Sequence, residues 1–146
     1  MSNPKSYVRV RDVMTPHIET IDGLATVADA IQSMKEKRFG ALIIDKRDEG
    51  DEYGLLTVHD IARKVIEPNL APKRVNVYEI MNKPVITFHA DMNIRYAIRL
   101  LERMNQQRAL VVAEGEGTAI GIITMLDMVT KYMDYTHSDD ENKSEN

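Results

Sequence analysis

Two threonine–aspartate pairs are the residues best able to recognise a small polar molecule. Thr57 and Asp60 lie in Gly54-Leu55-Leu56-Thr57-Val58-His59-Asp60; Thr124 and Asp127 lie in Gly121-Ile122-Ile123-Thr124-Met125-Leu126-Asp127, 67 residues later. In each copy an apolar run, read as a strand, gives way at the threonine to a helix. A hydroxyl at that junction caps the helix, and the first backbone N–H groups lack intrahelical partners. An aspartate three residues on lies one helical turn along, on the same side. Its carboxylate can accept both hydrogens of a ribose diol, while the amides and hydroxyl can donate to a phosphate. The alternative is a helix cap with no ligand, the acid being favoured by the helix dipole. Recurrence of Thr and Asp at equivalent places favours the ligand.

Further candidates surround these pairs. Met14-Thr15-Pro16-His17-Ile18 matches Met81-Asn82-Lys83-Pro84-Val85 at the same offset. Proline holds the residue before it extended, and an extended segment with free backbone groups can bond a purine edge while Ile18 or Val85 covers a face. Arg38 and Arg108, near the start of the middle strand of each repeat, could supply a guanidinium fork for phosphate oxygens. Arg63, Lys64 and Lys131 lie on the closing helices and read as solvated charge. His59 stands beside Asp60 where the other copy has Leu126, an asymmetry that could express ligand preference.

The elements that must position these residues form a duplicated pattern, and a repeat defines the folding unit. Ala30-Ile31 returns as Ala97-Ile98, and Asp12-Val13-Met14 as Glu79-Ile80-Met81. Each repeat reads β-α-β-β-α. In the first, Val8 to Met14 alternates apolar and charged residues and Ile18 to Ile21 is a short strand. Thr26 with Asp29 starts a helix carrying Val27, Ala30, Ile31 and Met34 at helical spacing. Ala41 to Ile44 and Tyr53 to Leu56 flank a charged hairpin, and a helix from Thr57 or Val58 runs to about Ile66, where Pro68 ends it. In the second, Val85 to Phe88 is a strand and Asn93 caps a helix to about Asn105. Leu110 to Ala113 and Ala119 to Ile123 pair across a turn, and Leu126 to Met133 lies in the last helix. The two inner strands of each repeat are expected to be antiparallel. Gly40 to Ile44 aligns with Arg108 to Val112 at an offset of 68, which reads as one residue gained before the strand and lost again in a shorter hairpin. The expected domains are 8–68 and 75–134, with 135–146 an acidic disordered tail.

Composition removes several function classes. Cysteine is absent, which rules out thiol chemistry and disulfides and fits the cytoplasm. No stretch approaches the 18 apolar residues of a membrane span, and no signal peptide is evident. The formal charge of −4 is the tail's own: Asp134 to Asn146 holds five acids and one lysine, leaving zero elsewhere. That neutrality disfavours nucleic acid. No HExxH, Walker loop, GxGxxG or GxSxG is present, so neither a metal centre nor an enzyme is expected.

Two units of Met-x-x-x-apolar, an Ala-Ile-x-x-Met or Ala-Ile-x-x-Leu helix and a closing Gly-apolar-apolar-Thr-x-x-Asp resemble a pair of CBS domains (cystathionine β-synthase domains) over about residues 8–134. The resemblance implies an α+β fold of two repeats packed with pseudo-two-fold symmetry, a Bateman module. It implies a noncatalytic sensor of adenosine-containing ligands (AMP, ADP, ATP or S-adenosylmethionine) that dimerises and regulates a separate effector protein, with no catalytic cofactor. It also assigns roles: Asp60 and Asp127 to the ribose, and Thr57 and Thr124 to phosphate or ribose. Thr15 to Ile18 and Asn82 to Val85 would surround the base, and Arg38 and Arg108 would meet phosphate. The first site would then hold Thr15-Pro16-His17 where the second holds Asn82-Lys83-Pro84. A structural or interaction module without a small ligand is the alternative.

Overall fold

The computed structural model describes residues 7–115 and 117–144. The chain divides into two compact units, and the division does not follow chain order: Glu19–Val85 forms the first unit, while Met1–Ile18 joins Ile86–Asn146 in the second. The elements run α1 (Val10–Val13), β1 (Thr20–Ile21), α2 (Val27–Lys37), β2 (Ala41–Ile44), β3 (Gly54–Thr57), α3 (Val58–Ile61), α4 (Val77–Ile80), β4 (Thr87–His89), α5 (Ile94–Arg103), β5 (Arg108–Val112), β6 (Ala119–Thr124) and α6 (Met125–Ser144). This is an α+β fold of two β-α-β-β-α repeats.

Local signals explain the boundaries. The Thr26 hydroxyl accepts from the Asp29 amide at 3.1 Å and the Asp29 carboxylate accepts from the Thr26 amide at 3.1 Å, a reciprocal cap that starts α2. The helix buries Val27, Ala30 and Met34. It ends where Arg38 turns left-handed, with φ of 54°; Asn105, its counterpart after α5, does the same. The stop thus falls at an arginine, a costlier choice than glycine for that conformation. After α3 the hydrogen bonding widens into a π turn over Ala62–Ile66, the Glu67 amide reaching the Ala62 carbonyl at 2.8 Å. Pro68 lies just beyond.

Each unit has a three-stranded sheet, β1-β2-β3 or β4-β5-β6, parallel at its first pair and antiparallel at its second. The register corrects the offset of 68. Ala41 pairs with Thr57 and Ile44 with Gly54; Arg108 pairs with Thr124 and Val111 with Gly121. Both strands thus keep the 67-residue offset, and the hairpins contain no compensating indel. Apolar runs such as Ala41-Leu42-Ile43-Ile44 can be slid by one position without losing hydrophobic matches, so the sequence alone fixes their phase poorly.

Each unit also has its own core. Val27, Leu42, Leu56, Val65 and Val77 are fully buried in the first, and Val10, Phe88, Leu101, Val111 and Met128 in the second. Burying each such side chain is worth about 1.5–3 kcal/mol. The short helix α1, from the start of the chain, contributes Val10 and Val13 to the second core; α4 contributes Val77 and Ile80 to the first. The last helix runs on to Ser144, so the expected disordered tail is corrected for residues 135–144. Nothing between Met125 and Ser144 breaks a helix, since neither glycine nor proline occurs there. Residues 145 and 146 lie outside the described residues.

Candidate functional site

The exchange of leading segments decides which residues meet. In the first unit Asn82 and Leu55 exchange two backbone hydrogen bonds, 2.9 and 2.8 Å. In the second, Thr15 and Ile122 do the same at 2.9 and 3.1 Å. The stretch Asn82, Lys83, Pro84 and Val85 therefore belongs with Thr57 and Asp60, while Thr15, Pro16, His17 and Ile18 belong with Thr124 and Asp127. The grouping expected from chain order is crossed. The motif glycine serves this crossing: a Cβ on Gly121 would sit 2.5 Å from the Thr15 carbonyl oxygen, and one on Gly54 would sit 2.8 Å from the Met81 sulfur.

Around Asp60 the carboxylate is heavily engaged. It is buried, with 7 % of the residue exposed. Its Oδ2 accepts from the Thr57 amide at 2.9 Å, the Thr57 hydroxyl at 2.8 Å and the Asn82 side-chain amide at 2.7 Å. Lys64 lies 3.8 Å from Oδ1 and donates to the Ile80 carbonyl at 2.9 Å. Asn82 is itself pinned, because Lys83 next to it forms an ion pair with Asp51 at 2.6 Å. Asp51 also binds the Arg47 side chain at 3.0 Å and the Arg47 amide at 2.9 Å. Lys83 first, then Arg47, hold the Asp51 carboxyl well below the usual carboxylate range.

Around Asp127 the arrangement is looser. The Asp127 amide donates to the Thr124 hydroxyl at 3.0 Å. Among the described residues no hydrogen bond reaches its carboxylate, whose partner is Lys131 at 3.5 Å. Lys131 also donates to the Val13 carbonyl at 3.2 Å. Lys64 and Lys131, read from sequence as solvated charge, are in fact equivalent braces from the motif aspartate to the end of the crossing helix. The signal was available in their common position, four residues after each aspartate.

The remaining candidates divide. Arg108 is half-buried and is the direct cross-strand partner of Thr124, which puts its side chain on the same face of the sheet. The equivalent partner of Thr57 is Ala41, and Arg38 lies three residues before it, exposed at the end of α2. His59 is exposed, as is His17. A cavity of about 720 Å³ in the first unit is lined by Ile21, Leu24, Ile44, Lys46, Tyr78 and Lys83 among others. Its lining includes neither Thr57 nor Asp60, but it takes in Met81 and Lys83 from the segment that meets them. Among the described residues no cluster of three His, Asp or Glu side chains could hold a metal ion, and no helix is long and apolar enough to cross a membrane.

The doubled sheet-and-helix unit with its threonine–aspartate junction is that of a CBS domain, and the family model matches residues 10–67 and 77–134. The chain belongs to the CBS-domain family, whose modules are regulatory and noncatalytic. It is 38 % identical to a hexameric CBS-CP12 protein from bloom-forming cyanobacteria, with a TM-score of 0.82, over 86 % of this chain and 68 % of that one. It is 30 % identical over 123 residues to an uncharacterized protein of Methanopyrus kandleri, covering 84 % of this chain and 61 % of that protein's length. A Pyrobaculum aerophilum CBS-domain protein solved in complex with AMP shares the fold, with a TM-score of 0.71 at 20 % identity over 83 % of this chain and 90 % of that one.

Proposed function

We propose that the chain is a sensor that binds an adenosine-containing ligand and passes the change to a separate protein. The observation that carries this reading is the second-unit site: Asp127 with a carboxylate open to a diol, Thr124 beside it, and Arg108 across the strand. A ribose diol on the carboxylate and a phosphate on the guanidinium match those groups. AMP, ADP and ATP fit the charge; S-adenosylmethionine would use the same carboxylate without the phosphate contact. Thr15, which pairs with Ile122 on β6, and the residues after it to Ile18 would meet the base. AMP in the Pyrobaculum complex makes an adenosine compound a natural choice for this chain.

Homodimerisation belongs to the same proposal. In the second unit Tyr96 on α5, Met104 at its C-terminal cap, and Leu126, Val129 and Met133 on α6 are more than half exposed. Apolar residues so placed suit a contact with a second copy. The effector, and a cytoplasmic setting, are proposed with it.

The test is a thermal-shift panel of AMP, ADP, ATP and S-adenosylmethionine, followed by calorimetry on Asp127→Ala. A ligand at a hundredfold excess over its Kd stabilises the native state by about 2.7 kcal/mol. Each charge-assisted hydrogen bond lost with Asp127 costs about 1.5–3 kcal/mol, so affinity should fall roughly ten- to hundredfold or more. A flat panel on folded protein, or unchanged affinity in the variant, would transfer the reading to an interaction module without a small ligand.

A further inference from the structure

We infer that the two motif sites are unequal: Asn82 holds the Asp60 site shut, and the chain takes one adenosine ligand, at Asp127. This rests on the proposed ligand class and adds the residue that decides between the sites.

Both units carry the same Gly-apolar-apolar-Thr-x-x-Asp, the same lysine brace and the same backbone pairing of the crossing segment. Two of their differences bear on the ligand. Where the second unit presents Thr15, the first presents Asn82, and the Asn82 side-chain amide donates to Asp60 Oδ2 at 2.7 Å. That oxygen already accepts from the Thr57 amide and hydroxyl. A diol that uses both carboxylate oxygens would find Oδ1 with only Lys64 at 3.8 Å but Oδ2 already taken. Of the three donors on Oδ2, Asn82 is the one from outside the Thr57–Asp60 turn, and it occupies the approach a ribose hydroxyl would need. The lock is also rigid. The Asn82 backbone pairs at both ends with Leu55, and Lys83 is tied to Asp51. A ligand entering this site would have to displace a preformed charge-assisted hydrogen bond. The second difference works in the same direction. Arg108 stands across from Thr124, and Ala41 across from Thr57, so the first unit lacks the cation at the place where a phosphate would lie.

The test is calorimetric stoichiometry with two probes, AMP and S-adenosylmethionine, on the full chain and on Asn82→Ala, Asn82→Thr, Asp60→Ala and Asp127→Ala. Asn82→Thr places in the first unit the residue that the second already carries, so it also covers a failure of Asn82→Ala to fold. The expected result is one site per chain in the unaltered protein, lost in Asp127→Ala and kept in Asp60→Ala. A second site should appear in either Asn82 variant, its affinity for AMP lower than that at Asp127. Two sites in the unaltered chain, or loss of binding in Asp60→Ala with retention in Asp127→Ala, would overturn the inference and leave the sensor reading standing. Unchanged single-site binding in both Asn82 variants would overturn the role of Asn82. Absence of binding by either probe to any of the folded chains would overturn the sensor reading as well.

Discussion

Replacing Gly121 with alanine tests the crossing of the leading segments directly. The new Cβ would lie 2.5 Å from the Thr15 carbonyl oxygen, 3.0 Å from the Met14 sulfur and 3.4 Å from the Pro16 Cα. Carbon and carbonyl oxygen approach no closer than about 3.3 Å, so the segment would have to retreat by about 0.8 Å. The Thr15–Ile122 bonds of 2.9 and 3.1 Å would then stretch to roughly 3.7–3.9 Å, beyond hydrogen-bond length. Two backbone hydrogen bonds lost cost about 1–3 kcal/mol. If the segment stays, overpacking costs about the same. Gly54→Ala is the control. Its close contact is the end of the Met81 side chain at 2.8 Å, followed by Ile44 Cβ at 3.3 Å. A thioether can rotate away for about 0.5–1.5 kcal/mol, and the gain from removing a strand glycine offsets about 0.5–1 kcal/mol of that. Urea unfolding with the slope held constant gives the two losses, and amide exchange along 119–124 and 54–57 localises them. Gly121→Ala should be the less stable variant by at least about 1 kcal/mol. Equal stabilities would refute the argument that the glycine serves the crossing.

Two further outcomes follow from local geometry. Asp51 has a folded-state pKa below its unfolded value because Lys83 and Arg47 pair with it. Its stabilising contribution is therefore present above the unfolded pKa and is lost as pH falls below about 4 toward the depressed folded value; thermal melts from pH 7 down to 2 should lose less over the acid range in Asp51→Asn than in the parent. A parallel decline in both chains would assign the acid loss to other carboxylates. Thr26→Ala removes the hydroxyl that accepts from Asp29 and should cost about 1 kcal/mol in urea unfolding, with amide protection in α2 falling first; a change within error would mean that the cap is replaced by water.

Periodicity and capping made most of the fold legible. The Thr26–Asp29 box, the Asn93 cap and the antiparallel inner strands are where the residue pattern puts them. The motif pairs were legible because each is local: Thr and Asp three apart meet through the backbone of one turn. What the sequence did not disclose is nonlocal. Nothing in Thr15-Pro16 or Asn82-Lys83 states which repeat's strand they will pair with, because the choice is made by burial of Val10 and Val13 in one core and Val77 and Ile80 in the other. The phase of the middle strand was hidden for a related reason. An all-apolar run matches its partner equally well when slid by one residue, and only the hydrogen-bonded register removes the ambiguity.

The duplicated motif therefore has two duties that should be separated. Lys64 runs from Asp60 to the Ile80 carbonyl, and Lys131 from Asp127 to the Val13 carbonyl. In both units the aspartate, its lysine and the end of a short helix form a brace that fastens the crossing segment to the sheet and its closing helix. The motif glycine makes room for the same segment. These groups would be needed even in a site that bound nothing, so their repetition is evidence of a repeated fold before it is evidence of repeated binding. Under the proposed sensor reading, the ligand-specific information would lie in the residues that break the repeat, Asn82 against Thr15 and Ala41 against Arg108. Each of these changes what the aspartate or threonine can offer, and neither alters the brace. A duplicated scaffold can in this way keep two copies of its structural parts while one copy alone retains an open carboxylate.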